Sequence, residues 1–248
     1  MKYGAMQWIL GRSDDLFAGA KSLGLDGIEL GYGERDLATT PEARERSVAQ
    51  AQAAGVEIPS LCIGCLNRGG WSSEDPEVRQ RATELVRGSI PAAVDLGAKV
   101  VLVPFFFQAA PHGAAELDRV CAGFAEVLPE AEAAGVTLGY EGELPAEELL
   151  ALLDRLGSPS LQCYYDVGNA VWLGHDPLAE LRQLAGRICQ IHFKEYVAKL
   201  NDQPLGEGSV PVAEACDVIR ELGYDGWVLL ETGTFGDPQG ATARQLAY

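Results

Sequence analysis

The chain alternates between amphipathic stretches and short apolar runs, a pattern typical of proteins built from helices and parallel strands. The recurring unit is a helical stretch that ends at glycine and is followed by an apolar strand, as in residues 23–30 and 96–103. Glycine suits the left-handed residue that commonly ends a helix. The pattern Gly-x-Asp-Gly at 24–27 returns at 223–226, so the two ends of the chain carry similar helix-to-strand joins.

This alternation predicts eight strands and at least six helices. The strands are expected near residues 2–8, 26–31, 56–63, 98–105, 136–141, 160–166, 187–193 and 225–231, and the helices at 41–54, 76–96, 114–134, 145–156, 177–186 and 211–222. Eight units in 248 residues give about 31 residues each, which favours an α/β fold of one domain, a (β/α)8 TIM barrel over residues 1–248. A doubly wound open sheet is the alternative. Since 17 residues follow Glu231, the last barrel helix is expected to be short.

The amino-acid composition argues against two classes of binding partner, nucleic acids and membranes. The chain has 36 acidic and 19 basic residues, a formal charge of −17, and such a surface repels nucleic-acid phosphates. No apolar stretch reaches the roughly 18 residues of a membrane span, and the first residues do not resemble a signal peptide. Six scattered cysteines in a chain of this length are typical of reduced thiols. We therefore expect a soluble, cytoplasmic protein that binds neither nucleic acid nor membrane.

Polar residues end four successive predicted strands. In a barrel, side chains at the carboxyl ends of the strands converge on one mouth, and strands five to eight end at Glu141, Asp166, His192 and Glu231. One imidazole and three carboxylates suit a divalent cation that prefers oxygen ligands, with Mn²⁺, Mg²⁺ or Co²⁺ ahead of Zn²⁺. Without a cation, three crowded carboxylates would repel one another. The alternative is that each acid is a solvated strand end or a helix cap.

Four motifs in order carry a family resemblance. They are Tyr-Asp-Val-Gly-Asn at 165–169, Ile-His-Phe-Lys-Glu at 191–195, Gly-Glu-Gly at 206–208 and the run 223–231. Together they resemble the sugar phosphate isomerase/epimerase family, the xylose isomerase-like barrels. The stretch from Cys62 to Arg79 is most similar to the branch of L-ribulose-5-phosphate and L-xylulose-5-phosphate 3-epimerases.

The resemblance implies a metal-dependent isomerase or 3-epimerase of a small ketose or ketose phosphate, acting through an enediolate. It implies that Glu141, Asp166, His192 and Glu231 hold one divalent metal ion, with Mn²⁺ expected first. It also implies that Glu141 and Glu231 form the acid/base pair on opposite faces of the sugar. Lys194 would then bind a substrate oxygen or stabilise developing negative charge.

Three further residues are candidates for binding the substrate. Asn169 occupies the position where several epimerases of free ketoses carry histidine, which favours the phosphosugar branch. Arg68 is the one basic residue in the loop after the third strand, where the phosphate epimerases carry more, and this points the other way. Trp8 lies at the end of the first predicted strand and could form one wall of a sugar pocket.

Three other functions remain open alternatives. A lyase or dehydratase of an inosose or keto-acid would need the same metal and the same proton abstraction. An apurinic-site endonuclease would need a zinc cluster rich in histidine, and the chain has three histidines. A non-catalytic binding barrel is the last alternative. The short final helix also suggests a homodimer, in which a second subunit covers the neighbouring apolar surface.

Overall fold

The computed structural model describes residues 1–11, 15–33, 36–235 and 238–246. Its strands are β1 (Lys2–Met6), β2 (Gly27–Gly31), β3 (Ser60–Cys62), β4 (Val100–Phe105), β5 (Thr137–Gly142), β6 (Leu161–Asp166), β7 (Ile188–Phe193) and β8 (Trp227–Leu230). They follow one another in chain order around a closed barrel. The predicted (β/α)8 barrel is therefore confirmed, and every observed strand except β5, which runs one residue past its prediction, lies within its predicted range.

Nine α-helices are described between and after the strands. They are α1 (Leu16–Ser22), α2 (Pro41–Ala54), α3 (Pro76–Leu96), α4 (Ala114–Ala134), α5 (Ala146–Leu156), α6 (Val167–Trp172), α7 (Pro177–Gln183), α8 (Val212–Glu221) and α9 (Pro238–Leu246). The sequence predicts α2, α3 and α4 residue for residue. It does not predict α1 or α6, which are too short for a helical repeat to be recognised; α7 is as short as α1 but is predicted because Pro177 marks its first turn. None of the described helices combines the length and apolar character that crossing a bilayer requires.

The described residues group into two compact units. One comprises Met1–Glu29, Val48–Ile58 and Tyr165–Tyr248, and the other comprises Leu30–Ser47 and Pro59–Tyr164. The first unit contains β7, β8, β1 and the start of β2, and the second contains β3, β4, β5 and most of β6. A single domain over the whole chain remains a prediction.

In the first unit, two glycines leave room for side chains from β8. A Cβ at Gly27 would lie 2.6 Å from the indole ring of Trp227, and a Cβ at Gly4 would overlap the side chain of Leu229. Gly4 pairs in register with Gly27 on one side and with Leu229 on the other. Because neither glycine carries a side chain, β8 supplies the bulk that fills this part of the interior.

In the second unit, the core is an aromatic cluster. The ring of Phe105 stacks on that of Tyr140 with centroids 4.4 Å apart, and Trp71 meets Phe124 edge-on at 4.8 Å. Trp71 is 2% exposed and donates its indole N–H to the hydroxyl of Thr83 at 2.9 Å. The polar edge of the indole is therefore satisfied inside the core, as buried tryptophan requires.

The fit of Trp71 against α4 gives a test of this packing. Gly123 lies under the indole, and a Cβ there would come within 2.6 Å of ring atoms. We expect Gly123→Ala to lower the free energy of unfolding by about 1–3 kcal/mol, the usual cost of overpacking a core, measured by urea denaturation. Gly19→Ala in α1 is the matched control, since a Cβ there meets nothing within 4 Å. It should leave stability unchanged or raise it by up to about 1 kcal/mol. Wild-type stability in Gly123→Ala would contradict the packing described.

Candidate metal centre

The four residues at the ends of β5, β6, β7 and β8 lie close together. Glu141, Asp166, His192 and Glu231 each offer one ligand atom, and these atoms all lie within 4.8 Å of one another. Two ligands bound to one ion at about 2.1 Å are at most about 4.2 Å apart, so the cluster needs only a small contraction to share an ion. Three carboxylates and an imidazole are also the donor set that a divalent cation such as Mn²⁺ or Mg²⁺ accepts. The residues present therefore fit a divalent metal.

Asp166 is held at the junction of β6 and α6. Its Oδ1 accepts a hydrogen bond from the backbone N–H of Asn169 at 2.7 Å, which caps α6. Its Oδ2 lies 3.3 Å from Nζ of Lys194. Gly168 makes this approach possible, because a Cβ there would lie 2.6 Å from the backbone oxygen of Lys194. The glycine of the Tyr-Asp-Val-Gly-Asn motif thus serves to bring Lys194 against Asp166.

Lys194 is buried among the acids. It is 5% exposed, and its ammonium lies 2.6 Å from Oε2 of Glu231. Burial raises the pKa of Glu231, but the ammonium of Lys194 and the imidazole of His192, whose Nδ1 is 3.1 Å away, outweigh that effect. The resulting pKa of Glu231 is about 2, so this carboxylate is ionised at neutral pH.

His192 has a second carboxylate on its other side. Its Nε2 lies 3.2 Å from Oε1 of Glu29 in β2, and both residues are fully buried. No role for Glu29 is predicted from the sequence. A signal was available, since Glu29 is a lone acid between the apolar residues Ile28 and Leu30 of one strand.

Glu195 organises the loop after β7, and the sequence analysis gives it no role either. Its buried carboxylate accepts hydrogen bonds from the backbone N–H groups of Tyr196 at 3.0 Å, Gly206 at 3.0 Å and Val210 at 2.9 Å. Gly208 lies directly against this carboxylate, and a Cβ there would overlap it. The Gly-Glu-Gly motif at 206–208 is therefore explained by the fit of the loop around Glu195.

The remaining predicted residues lie on or beside segments that follow strands. Trp8 is 44% exposed in a short 3-10 helix (Gln7–Leu10), with its indole N–H 3.2 Å from the sulfur of Met6. Arg68 is exposed at the end of another 3-10 helix (Gly64–Arg68). Asn169 is 5% exposed in the first turn of α6. Substrate binding by these three residues remains a prediction.

The chain resembles known proteins in both sequence and structure. The family model described as "Xylose isomerase-like TIM barrel" matches residues 17–248. The chain is 30% identical over 241 residues to an L-ribulose-5-phosphate 3-epimerase, UlaE, of Escherichia coli. The aligned region covers 91% of this chain and 84% of that relative. Among solved structures, a D-tagatose 3-epimerase-like protein aligns with a TM-score of 0.83 at 21% identity, over all of this chain and 96% of the other. An L-ribulose 3-epimerase aligns with a TM-score of 0.82 at 22% identity, over 99% and 92%.

The position of Lys194 predicts how the cluster responds to losing its positive charge. In Lys194→Met, Asp166 and Glu231 lose a buried partner, so we expect the metal-free protein to be about 3 kcal/mol less stable. Adding Mn²⁺ should raise the melting temperature more than in the wild type, because the cation supplies the missing charge. Thermal melts in EDTA and in MnCl₂ measure both effects. Lys199→Met, an exposed lysine in the following loop, is the control and should change neither. Equal melting temperatures for Lys194→Met and wild type in EDTA would contradict this account.

The contacts of Glu195 predict a local rather than global effect. Glu195→Ala removes the acceptor of three backbone N–H groups, so the loop at 196–211 should open and let trypsin reach the backbone at Lys199, whose side chain is already exposed. We expect cleavage there at least about tenfold faster than in the wild type, which corresponds to losing about 1.4 kcal/mol of local stability. Limited proteolysis followed by mass spectrometry locates the cut. Glu207→Ala, an exposed neighbour in the same loop, is the control, and cleavage at the same rate in both variants would refute the assignment.

Proposed function

We propose, because the chain belongs to the xylose isomerase-like TIM barrel family, that it is a divalent-metal-dependent 3-epimerase of a small ketose or ketose phosphate. Sugar epimerases are named among both its sequence relatives and its structural neighbours, and the chain is a sugar isomerase or epimerase. The observation that carries the finer proposal is the cluster of Glu141, Asp166, His192 and Glu231. It joins a metal-binding donor set to two glutamates that can exchange protons.

The four residues of the cluster would hold the metal, and we propose Mn²⁺ as the ion. When bound there, a divalent cation would polarise a ketose carbonyl and would stabilise the negative charge that develops when the neighbouring C–H proton is lost. Glu141 and Glu231 would then act from opposite faces of the sugar. One carboxylate takes the proton from carbon and the other returns a proton on the other face, which inverts that carbon.

Lys194 determines when Glu231 can act as the base. Without a metal ion the pKa of Glu231 is about 2, so its carboxylate is ionised but weakly basic, and efficient proton transfer needs a pKa closer to the working pH. If the ammonium of Lys194 turns to a substrate oxygen, Glu231 loses the contact of 2.6 Å that lowers its pKa. Substrate binding would thus make Glu231 more basic and at the same time place a positive charge beside the developing oxyanion.

We also propose the substrate, its binding residues and the location of the protein. The substrate is a small sugar, with Asn169, Arg68 and Trp8 as candidate binding residues, and the protein acts in the cytoplasm without a nucleic-acid or membrane partner. The homodimer, too, remains a prediction.

Proton exchange tests the proposed reaction. The Mn²⁺-loaded protein is incubated in D₂O with free and phosphorylated ketoses, and the carbon-bound protons are followed by NMR. We expect deuterium next to the carbonyl together with a new diastereomer, and no exchange after the metal is removed with EDTA. Exchange with loss of water would indicate a dehydratase instead. Absence of exchange on every sugar, with metal bound, would contradict the proposal.

The two glutamates are tested by amide substitution. Glu141→Gln and Glu231→Gln should each slow epimerisation by at least about 100-fold, because a carboxamide cannot take or return the proton. The circular dichroism spectrum should stay that of the wild type. Glu207→Gln, at an exposed loop position, is the control and should retain activity. Near-normal turnover in either cluster variant would exclude the two-carboxylate mechanism.

A further inference from the structure

We propose that Glu29 is a positioning residue that fixes the tautomer and orientation of His192, so that Nδ1 presents its lone pair to the carboxylate cluster. Glu29 itself lies outside the group of four residues that offer ligand atoms. It would act through His192 alone, from the opposite side of the imidazole ring. The role of Nδ1 as a ligand rests on the proposed metal-dependent function, whereas the tautomer does not.

The two ring nitrogens of His192 face different partners. Nε2 lies 3.2 Å from Oε1 of Glu29. Nδ1 lies 3.1 Å from Oε2 of Glu231 and 3.8 Å from Oδ2 of Asp166. A neutral imidazole carries one N–H and one lone pair. The charged ring donates to a carboxylate on each side. When the ring is neutral and Glu29 keeps the proton on Nε2, the lone pair belongs to Nδ1 and points at the cluster, and only this tautomer can give a metal a nitrogen ligand there.

Burial explains why a glutamate at position 29 calls for a specific role. Glu29 is 0% exposed, as are its neighbours Ile28 and Leu30. A carboxylate in such surroundings costs several kcal/mol unless a hydrogen-bonded or charged partner compensates it. The imidazole of His192 is a partner of this kind. Histidines that bind metals usually donate their other N–H to a carboxylate or a carbonyl, which sets the ring orientation and increases the basicity of the ligand nitrogen.

Two substitutions separate this role from simple packing. Glu29→Gln keeps an oxygen that can accept the Nε2–H, whereas Glu29→Leu keeps the approximate volume and removes the acceptor. Gln190→Leu is the matched control. Gln190 is a buried residue of β7 two positions before His192, and neither atom of its amide has a hydrogen-bond partner among the described residues.

The first measurement is the tautomer of His192 in the metal-free protein, from long-range ¹H–¹⁵N correlation spectra at a pH where the ring is neutral. We expect the proton on Nε2 in the wild type and in Glu29→Gln, and loss of that preference in Glu29→Leu. His175 is an internal reference, because its Nδ1 faces Glu180 at 3.1 Å, and its spectrum should be the same in all variants. A wild-type His192 protonated on Nδ1 would overturn the proposal without any variant.

The second measurement is Mn²⁺ affinity, followed by the EPR signal of free Mn²⁺. We expect Glu29→Leu to bind about 10–100-fold more weakly than the wild type, with Glu29→Gln and Gln190→Leu within a few-fold. Equal affinity in Glu29→Leu and the wild type, or equal weakening in Glu29→Gln and Glu29→Leu, would overturn the proposal. If the wild type binds no Mn²⁺, the proposed function fails, and the tautomer alone decides whether Glu29 orients His192.

Discussion

Carboxylates buried inside a barrel must be compensated by positive charge or hydrogen bonds, and the arrangement of the first unit follows from this constraint. Glu29 and Asp166 are withdrawn from water, where an uncompensated charge would cost several kcal/mol. The ammonium of Lys194 pairs with Asp166 and Glu231, and the imidazole of His192 lies between Glu29 and Glu231. The groups that we assign to the reaction therefore also compensate the buried charge of the folded interior. Stability and chemistry cannot be separated at these positions.

The glycines of the sequence motifs are required because they have no side chain and so leave space for their neighbours. Gly168 leaves the space in which Lys194 lies against the start of α6, and Gly208 leaves the space for the carboxylate of Glu195. A motif glycine is often attributed to a backbone angle that other residues avoid. At these two positions the requirement is contact with a charged residue that directly follows β7, Lys194 or Glu195. This explains why the glycines accompany the polar motif residues in the sequence.

Much of this architecture is predictable from the sequence because its signals are local. Glu141, Asp166, His192 and Glu231 lie at the carboxyl ends of predicted strands, and this position alone predicts that they share one end of the barrel. Glu195 lies within a motif and Glu29 lies in the helix-to-strand join at 23–30, but neither receives a predicted role, because their importance depends on partners that the pattern does not reveal. Glu29 meets a residue of β7, far along the chain, and Glu195 binds backbone groups, which leave no trace in side-chain patterns. No local signal of this kind predicts the identity of the sugar substrate either.

The loop around Glu195 has a consequence for how such barrels diversify. The loop of residues 197–205 is held at both ends by the carboxylate of Glu195, which accepts hydrogen bonds from the backbone N–H groups of Tyr196 and Gly206. Asp202 adds a local brace by accepting hydrogen bonds from the backbone N–H groups of residues 197–199. Substitutions or insertions between the two attachment points can therefore change this loop while β7 and the residues it carries stay in place. Selection can act on the loop without altering the charged interior.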